Sequence, residues 1–230
     1  MENIKNSSTI EETNRFMQKV YAWMFVALMI SGGVAYYTAV TPWLTDMILG
    51  NRSVFYVLLV FELALVLLLA LNMKKIPYLL GAFLFFVYSI ATGLTLSVIF
   101  LVFTIESIWT VFMISACMFA VMSIYGYFTK TDLTSVGSVL ILGLIGIVIA
   151  SAVNLFLNNT LLDFIISVIG VIVFVGLTAY DTQKIKKTNK LGNEGTDEDR
   201  KEAIMGALTL YLDFVNLFIK LLRLFGKRRR

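Results

Sequence analysis

The sequence predicts an all-α integral membrane protein in which seven transmembrane helices form one bundle, with a polar-striped seventh helix inside it. Hydrophobic residues make up 59% of the 230 residues and charged residues only 15%, whereas soluble domains carry about 25% charged residues. The apolar residues form seven long runs, each close to the roughly 20 residues that span a bilayer. Basic residues lie between these runs and at the chain ends, which argues against nucleic-acid binding.

The chain divides into a flexible cytosolic tail (residues 1–15), a single membrane domain (residues 16–226) and a basic tail (residues 227–230). Each expected helix is a long apolar run bounded by charged or turn-forming residues. The seven helices are expected at about 18–40, 54–73, 77–102, 107–128, 134–157, 161–187 and 203–226.

The boundaries of these helices follow from local signals. The first helix ends at the turn Thr41-Pro42-Trp43, and the second ends at two lysines before Pro77, a residue that suits the start of the third. The fourth helix stops at the polar segment 129–132. The fifth contains glycines that allow close helix approach, and the sixth continues into a solvated linker at 188–202.

The last helix carries a polar stripe. Its polar and small residues recur every three or four positions and share one helix face: Gly206, Thr209, Asp213, Asn216, Lys220 and Arg223. The opposite face is rich in leucine and phenylalanine. Charged side chains within a membrane helix indicate a functional site, so we expect this helix to lie inside the bundle.

Three carboxylates lie in apolar spans. Asp213 is about ten residues, roughly 15 Å, into its helix, and Asp181 lies near the same cytosolic end of the preceding antiparallel helix. We expect these two acids to approach and share a proton, because two like charges in an apolar site cannot both ionise cheaply. Glu62 lies at a depth similar to that of Arg223, which predicts a structural ion pair between them.

The distribution of basic residues predicts the topology. With a cytosolic N-terminus, most of the 19 Lys and Arg residues fall on the cytosolic side, as the positive-inside rule requires. The basic tail at 227–230 then lies outside if the last helix crosses the membrane. Alternatively, the last segment enters the membrane and returns, and the sequence does not decide between these arrangements.

Enzymatic activity is not expected. Paired acids on consecutive helices resemble intramembrane aspartyl proteases only partially, because those enzymes carry Gly-x-Gly-Asp where this chain has Leu210-Tyr211-Leu212-Asp213. They also need a Pro-Ala-Leu turn, whereas the prolines here are Pro42 and Pro77. The chain has no histidine and one cysteine, and no metal-ligand cluster or phosphate-binding loop is evident. We expect no bound cofactor.

Two segments resemble the transmembrane Bax-inhibitor-motif family, and the resemblance covers nearly the whole chain. They are GLTAYDTQ at 176–183 and ALTLYLDFVNLF at 207–218. The resemblance implies six helices around a central seventh, and a pH-dependent calcium leak with Asp181 and Asp213 as the proton-sensing pair. In this family a basic residue after the second helix can latch the first aspartate. Lys74 occupies the matching position, although lysine cannot form the bidentate pair that arginine forms.

The resulting hypothesis is a pH-sensitive calcium leak channel in a bacterial plasma membrane. Its ion path would pass Thr209, Asp213 and Asn216, with Asp181 and Asp213 as transient calcium ligands. Lipid, calcium ions and protons are the expected partners. The alternative is a non-enzymatic regulator that binds a membrane protease through its N-terminal tail or the linker between the last two helices.

Overall fold

The computed structural model is helical almost throughout and describes residues 2–189 and 192–229, with side chains from residue 10 onward. Residues 190–191 of the expected linker and Arg230 of the basic tail lie outside this part of the chain. The helices found in it are α1 (Glu2–Val40), α2 (Pro42–Leu49), α3 (Arg52–Asn72), α4 (Tyr78–Val102), α5 (Ile105–Phe128), α6 (Thr134–Leu157), α7 (Thr160–Thr188) and α8 (Asp197–Phe225). All except α2 are long and apolar enough to span a membrane. The all-α fold with seven transmembrane helices is confirmed.

The N-terminal region differs from the expected boundaries in two places. Residues 2–15, expected as a flexible tail, are helical and belong to α1, where Arg15 pairs with Glu11 one turn earlier. The expected turn at Thr41-Pro42-Trp43 is instead the start of α2. Proline suits this first helical position because the N–H that it lacks would have no partner within the helix.

Helix α8 is more buried than the other spans. In its most apolar stretch 72% is buried inside the protein, against at most 39% in any other span. The helix is continuous over 29 residues, so the alternative in which this segment enters the membrane and returns is wrong. Its two halves belong to different compact units, which are Met1–Val102 with Thr188–Tyr211, and Phe103–Lys187 with Leu212–Arg230.

In the first unit, α1 and α3 both pack against α4. The first half of α8 is held there by Tyr211, which is fully buried. Its hydroxyl group lies 2.6 Å from Ser31 Oγ, and its ring meets the rings of Phe85 and Tyr88 edge to face. A buried hydroxyl needs such a partner, because leaving it unpaired costs about 1–3 kcal/mol.

Helix α1 also holds the linker that precedes α8. Arg15 forms a bidentate pair with Glu194, at 2.7 Å from Nε and 2.9 Å from Nη2. This hydrogen-bonded guanidinium lowers the pKa of Glu194 below its ordinary value. Lys19 pairs at 2.7 Å with the buried carboxylate of Asp199 in the first turn of α8. These ion pairs join α1 to the linker and to the start of α8.

In the second unit, α5 packs closely against both α7 and the second half of α8. Four phenylalanine rings join α5 to α8 edge to face, at centroid distances of 5.5 to 5.9 Å: Phe112, Phe119, Phe214 and Phe218. Helix α5 meets α7 at Gly126, where a β-carbon would collide with the carbonyl oxygen of Ala179. Glycine at this position is therefore a requirement of helix packing.

The last turns of α7 are tied to the α5–α6 connection. Gln183 accepts a hydrogen bond from Leu133 N–H at 3.0 Å and donates one to the Thr131 carbonyl at 2.8 Å. Lys187 pairs with Asp132 at 2.9 Å. These contacts fix the end of α7 that lies just beyond Asp181.

The basic C-terminal tail lies at the opposite end of this unit, against the segment that leads into α5. The Lys227 carbonyl accepts from Thr104 N–H at 2.9 Å, and the Lys227 N–H donates to Ser107 Oγ at 2.8 Å. Phe103 and Arg228 form an antiparallel β-bridge. The tail therefore follows a complete crossing by α8 and is held by backbone hydrogen bonds.

We expect Gly126→Ala to destabilise the protein by about 1–3 kcal/mol, because the added methyl group must push α5 away from the backbone of α7. Thermal unfolding of the purified protein in detergent measures this loss. The matched control is Gly146→Ala in α6, where a β-carbon meets nothing within 4 Å. That change should be neutral or slightly stabilising, because alanine favours a helix over glycine by about 1 kcal/mol. Equal melting temperatures for the two variants would contradict the close contact.

Candidate functional site

The candidate site is the contact between Asp181 of α7 and Asp213 of α8. Both residues are buried, with exposed fractions of 9% and 5%. The two side chains are close enough for their carboxyl groups to interact, and Oδ2 of Asp213 meets no donor among the described residues. Two carboxylate ions offer only acceptors. A hydrogen bond between the two groups would therefore need a proton on one of them.

The residues that follow Asp181 hold this face of α7 in place. Thr182 Oγ1 and Ser123 Oγ of α5 form a hydrogen bond of 3.0 Å, and Gln183 is bound to the α5–α6 connection. Lys184, one turn after Asp181, is the cation whose charge acts on the Asp181 carboxyl group. Lys184 was not among the predicted site residues, although its i,i+3 spacing from Asp181 indicates proximity on a helix.

The polar stripe of α8 faces α7 beyond Asp213. The aliphatic stem of Lys220 lies against Gly170, where a β-carbon would come within 3.0 Å of the lysine Cγ and Cδ. Arg223 donates to Asp163 Oδ1 at 2.7 Å. A charged stripe within a membrane helix needs partners inside the protein, and α7 provides a carboxyl group, a glycine gap and a second carboxylate.

The expected ion pair between Glu62 and Arg223 is wrong. Arg223 pairs instead with Asp163 in the first turn of α7. A long side chain near a helix end extends its charged head toward the membrane surface, so the head lies beyond the depth of its Cα. In the first unit, half-buried Glu62 lies beside the hydroxyl groups of Thr92 and Thr95, and its Oε1 accepts no hydrogen bond from the described residues.

The two other residues of the expected ion path bond to their own helix. Thr209 Oγ1 donates to the Met205 carbonyl at 3.0 Å, and Asn216 Nδ2 donates to the Leu212 carbonyl at 2.8 Å. These bonds use donor atoms and leave oxygen lone pairs on both side chains. Lys74 is exposed in the connection between α3 and α4, and its role as a latch stays a prediction.

Comparison with known proteins identifies the family. The family model for inhibitors of apoptosis-promoting Bax1 matches residues 13–230. The chain belongs to this family. It is 47% identical over 215 residues to the inner membrane protein YbhL of Escherichia coli (strain K12). The aligned residues cover 93% of this chain and 92% of that protein.

Two further relatives come from other bacteria. An uncharacterized protein of Borreliella burgdorferi is 44% identical over 216 residues, covering 94% of this chain and 93% of the relative. An uncharacterized membrane protein of Streptococcus pyogenes serotype M1 is 35% identical over 218 residues, covering 93% of each. Family membership confirms the resemblance found in segments 176–183 and 207–218, which carry the two aspartates of the carboxyl contact.

The ion pair at the end of α7 leads to an expected pH dependence. The hydrogen bond from Lys187, together with those from Thr134, lowers the pKa of Asp132 from 3.8 to about 2. A carboxyl group with a lowered pKa stabilises the fold above its unfolded pKa, and this contribution is lost as the pH falls through the folded pKa. The window of loss is therefore about pH 4 to pH 2.

We expect the Lys187→Gln variant to lose less stability than the wild type across this window, because its Asp132 has no cationic partner. Thermal unfolding in detergent at several pH values measures the difference. Lys130→Gln, which removes an exposed lysine from the same connection, should keep the wild-type dependence. Parallel curves for the wild type and Lys187→Gln would show that this pair does not stabilise the end of α7.

Proposed function

We propose that this protein is a pH-sensitive calcium leak channel of the bacterial inner membrane, gated by the proton shared between Asp181 and Asp213. The observation that carries the proposal is the contact of two buried carboxyl groups on neighbouring membrane helices. Carboxyl groups inside a membrane are costly and commonly mark ion or proton pathways. The name of the E. coli relative supports the location. The proposed role is non-enzymatic and uses calcium as the permeant ion, without a bound cofactor.

The proposed gate has two arrangements. With one proton on the pair, the carboxyl groups share a hydrogen bond and α7 stays against α8. Once that proton leaves, two negative charges in an apolar site repel each other and favour a second arrangement. A shift of one pKa unit supplies about 1.4 kcal/mol, a tenfold change in the balance between the arrangements. In the deprotonated arrangement a cation captures Asp181 and closes the path, and the family resemblance points to Lys74.

Calcium passes when at least one carboxylate is ionised and Asp181 is not captured. Calcium prefers oxygen ligands, and Thr209, Asp213 and Asn216 offer them along one face of α8. In the part of the chain that the structure describes, no three His, Cys, Asp or Glu residues are grouped to hold a metal ion. The proposed calcium contacts are therefore few and short-lived, as conduction requires.

A second candidate function is the regulation of a membrane protease by binding. The ion pairs Arg15–Glu194 and Lys19–Asp199 join α1 to the α7–α8 linker and to the start of α8, and a partner protein can recognise the surface that these segments form. A protein that acts only as a regulator conducts no calcium. A flux measurement therefore separates the two functions.

We expect Asp213→Asn to flatten the pH dependence of the leak, because an amide cannot ionise or share the proton. The measurement is dye-reported calcium entry into liposomes that contain the purified protein, from about pH 5 to pH 8. Asp46→Asn is the matched control, since it removes an exposed carboxylate on α2 and should keep the wild-type profile. Wild-type and Asp213→Asn curves with the same shape and midpoint would exclude the carboxyl pair as the gate, and a folded wild type without flux would favour the regulator.

We expect Lys74→Ala to raise calcium flux at neutral pH by up to about tenfold, because a latch worth about 1.4 kcal/mol is removed. Asp181→Asn should raise it similarly, because the neutral amide cannot be captured. The neighbouring exposed residue Lys75 provides a control, and Lys75→Ala should leave the flux unchanged. Equal flux for Lys74→Ala and Lys75→Ala would contradict the latch. The role of the carboxyl pair is tested separately by the Asp213→Asn variant.

A further inference from the structure

The second unit contains a cavity of about 690 Å³ at the end where α8 and the basic tail emerge. It is lined by α6, the α6–α7 connection, the first turns of α7, the end of α8 and the tail. Three cations and one carboxylate contribute to its wall: Lys220, Arg223, Arg228 and Asp163. Asp163 is already bound by Arg223 at 2.7 Å. The cavity therefore keeps a surplus of positive charge.

Lys220 is the deepest of these cations. Only 8% of the residue is exposed, and its stem lies in the gap that Gly170 leaves on α7. No described residue forms a hydrogen bond or a close ion pair with its ammonium group. The charge of Asp163 acts on it from a longer distance, but that carboxylate is the partner of Arg223. Burying a cation without a partner is costly. An anion in the cavity would remove this cost.

The polar wall of the cavity also suits an anion. The side-chain oxygen of Asn154 accepts from Asn159 N–H, and that of Asn159 accepts from Leu162 N–H, each at 3.0 Å. Both amide oxygens are thus used at the α6–α7 connection. Their NH₂ groups remain as hydrogen-bond donors. Arg228 adds a planar guanidinium, which matches the geometry of a phosphate group.

The position of the cavity matches the headgroup layer of a bilayer. Lys220 lies five residues, about 7.5 Å, before the end of α8, and each headgroup region is roughly 5–8 Å thick. Leu155 and Phe164 also line the cavity, and they are 75% and 56% exposed. These apolar side chains can contact the acyl chains of a lipid, whereas a free anion has no apolar part that could contact them.

We propose that this cavity binds a phosphate-bearing anion, with Lys220 as its deep ligand and Arg228 as its outer ligand. The acyl-compatible wall favours an anionic phospholipid over free phosphate as the source of that group. The site lies at the opposite end of α7 from Asp181, and the proposal does not depend on calcium conduction.

The test measures the melting temperature of the full-length protein in detergent during titration with phosphatidylglycerol, phosphatidylcholine or inorganic phosphate. We expect phosphatidylglycerol to raise the melting temperature more than phosphatidylcholine does. Lys220→Met should weaken this binding about tenfold or more, the loss expected for one charge-assisted hydrogen bond. Lys130→Met removes an exposed lysine elsewhere and should bind as the wild type does.

The arms of the experiment separate the sources of the anion. Stabilisation by phosphatidylglycerol but not by inorganic phosphate supports a lipid site, and equal stabilisation by both supports a free-phosphate site. If Lys220→Met does not fold, Arg228→Gln on the exposed tail replaces it, with an expected loss of several-fold. Unchanged binding in the folded Lys220 variant, or in its Arg228 replacement, overturns the proposal, as does equal stabilisation by phosphatidylcholine.

Discussion

The contact between the carboxyl groups of Asp181 and Asp213 is the constraint that the packing of the second unit must satisfy. Two buried acids repel each other unless a proton lies between them, so the pair does not draw α7 and α8 together by itself. Other contacts must do so. The glycine contact at Gly126 holds α7 against α5, and the rings of Phe214 and Phe218, which follow Asp213, hold α8 against α5. The apolar packing therefore maintains a polar contact whose own stability depends on protonation.

Helix α7 is anchored at both ends, and these anchors limit how far repulsion between the two acids can displace the helix. Gln183 and Lys187 bind one end of α7 to the α5–α6 connection, and Asp163 binds the other end to Arg223. The two hydrogen bonds of Gln183 contribute together about 1–3 kcal/mol. This is comparable to the bias of about 1.4 kcal/mol that one pKa unit supplies. Deprotonation is therefore expected to change the contact locally, without detaching the end of α7.

The sequence predicted the features that follow from bilayer thickness and helical periodicity. The length of each apolar run located the seven spans, and the spacing of the polar stripe placed Asp213 opposite α7. The partner of Arg223 was missed because depth was counted from its Cα, whereas the guanidinium extends to Asp163 near the helix end. The helical state of residues 2–15 was also missed, because their polar composition was taken to indicate a flexible tail and the pairing of Arg15 with Glu194, far away in sequence, could not be foreseen. Composition does not indicate the direction in which a side chain such as that of Arg223 extends. It also does not indicate a contact between residues as far apart in sequence as Arg15 and Glu194.

In the proposed gate a proton, and not an internal cation, neutralises the carboxyl pair, and the spacing of charges along α8 is consistent with this. Lys220 lies on the same face as Asp213 but seven residues away, about 10 Å along the axis. Its stem extends along Gly170, away from the acids. A lysine one turn nearer would pair directly with Asp213, and that ion pair would persist over the whole physiological pH range. The distance between the two residues therefore leaves the acids without a lysine partner on α8, as the proposed gate requires, and it leaves Lys220 free for the anion that we propose at the membrane surface.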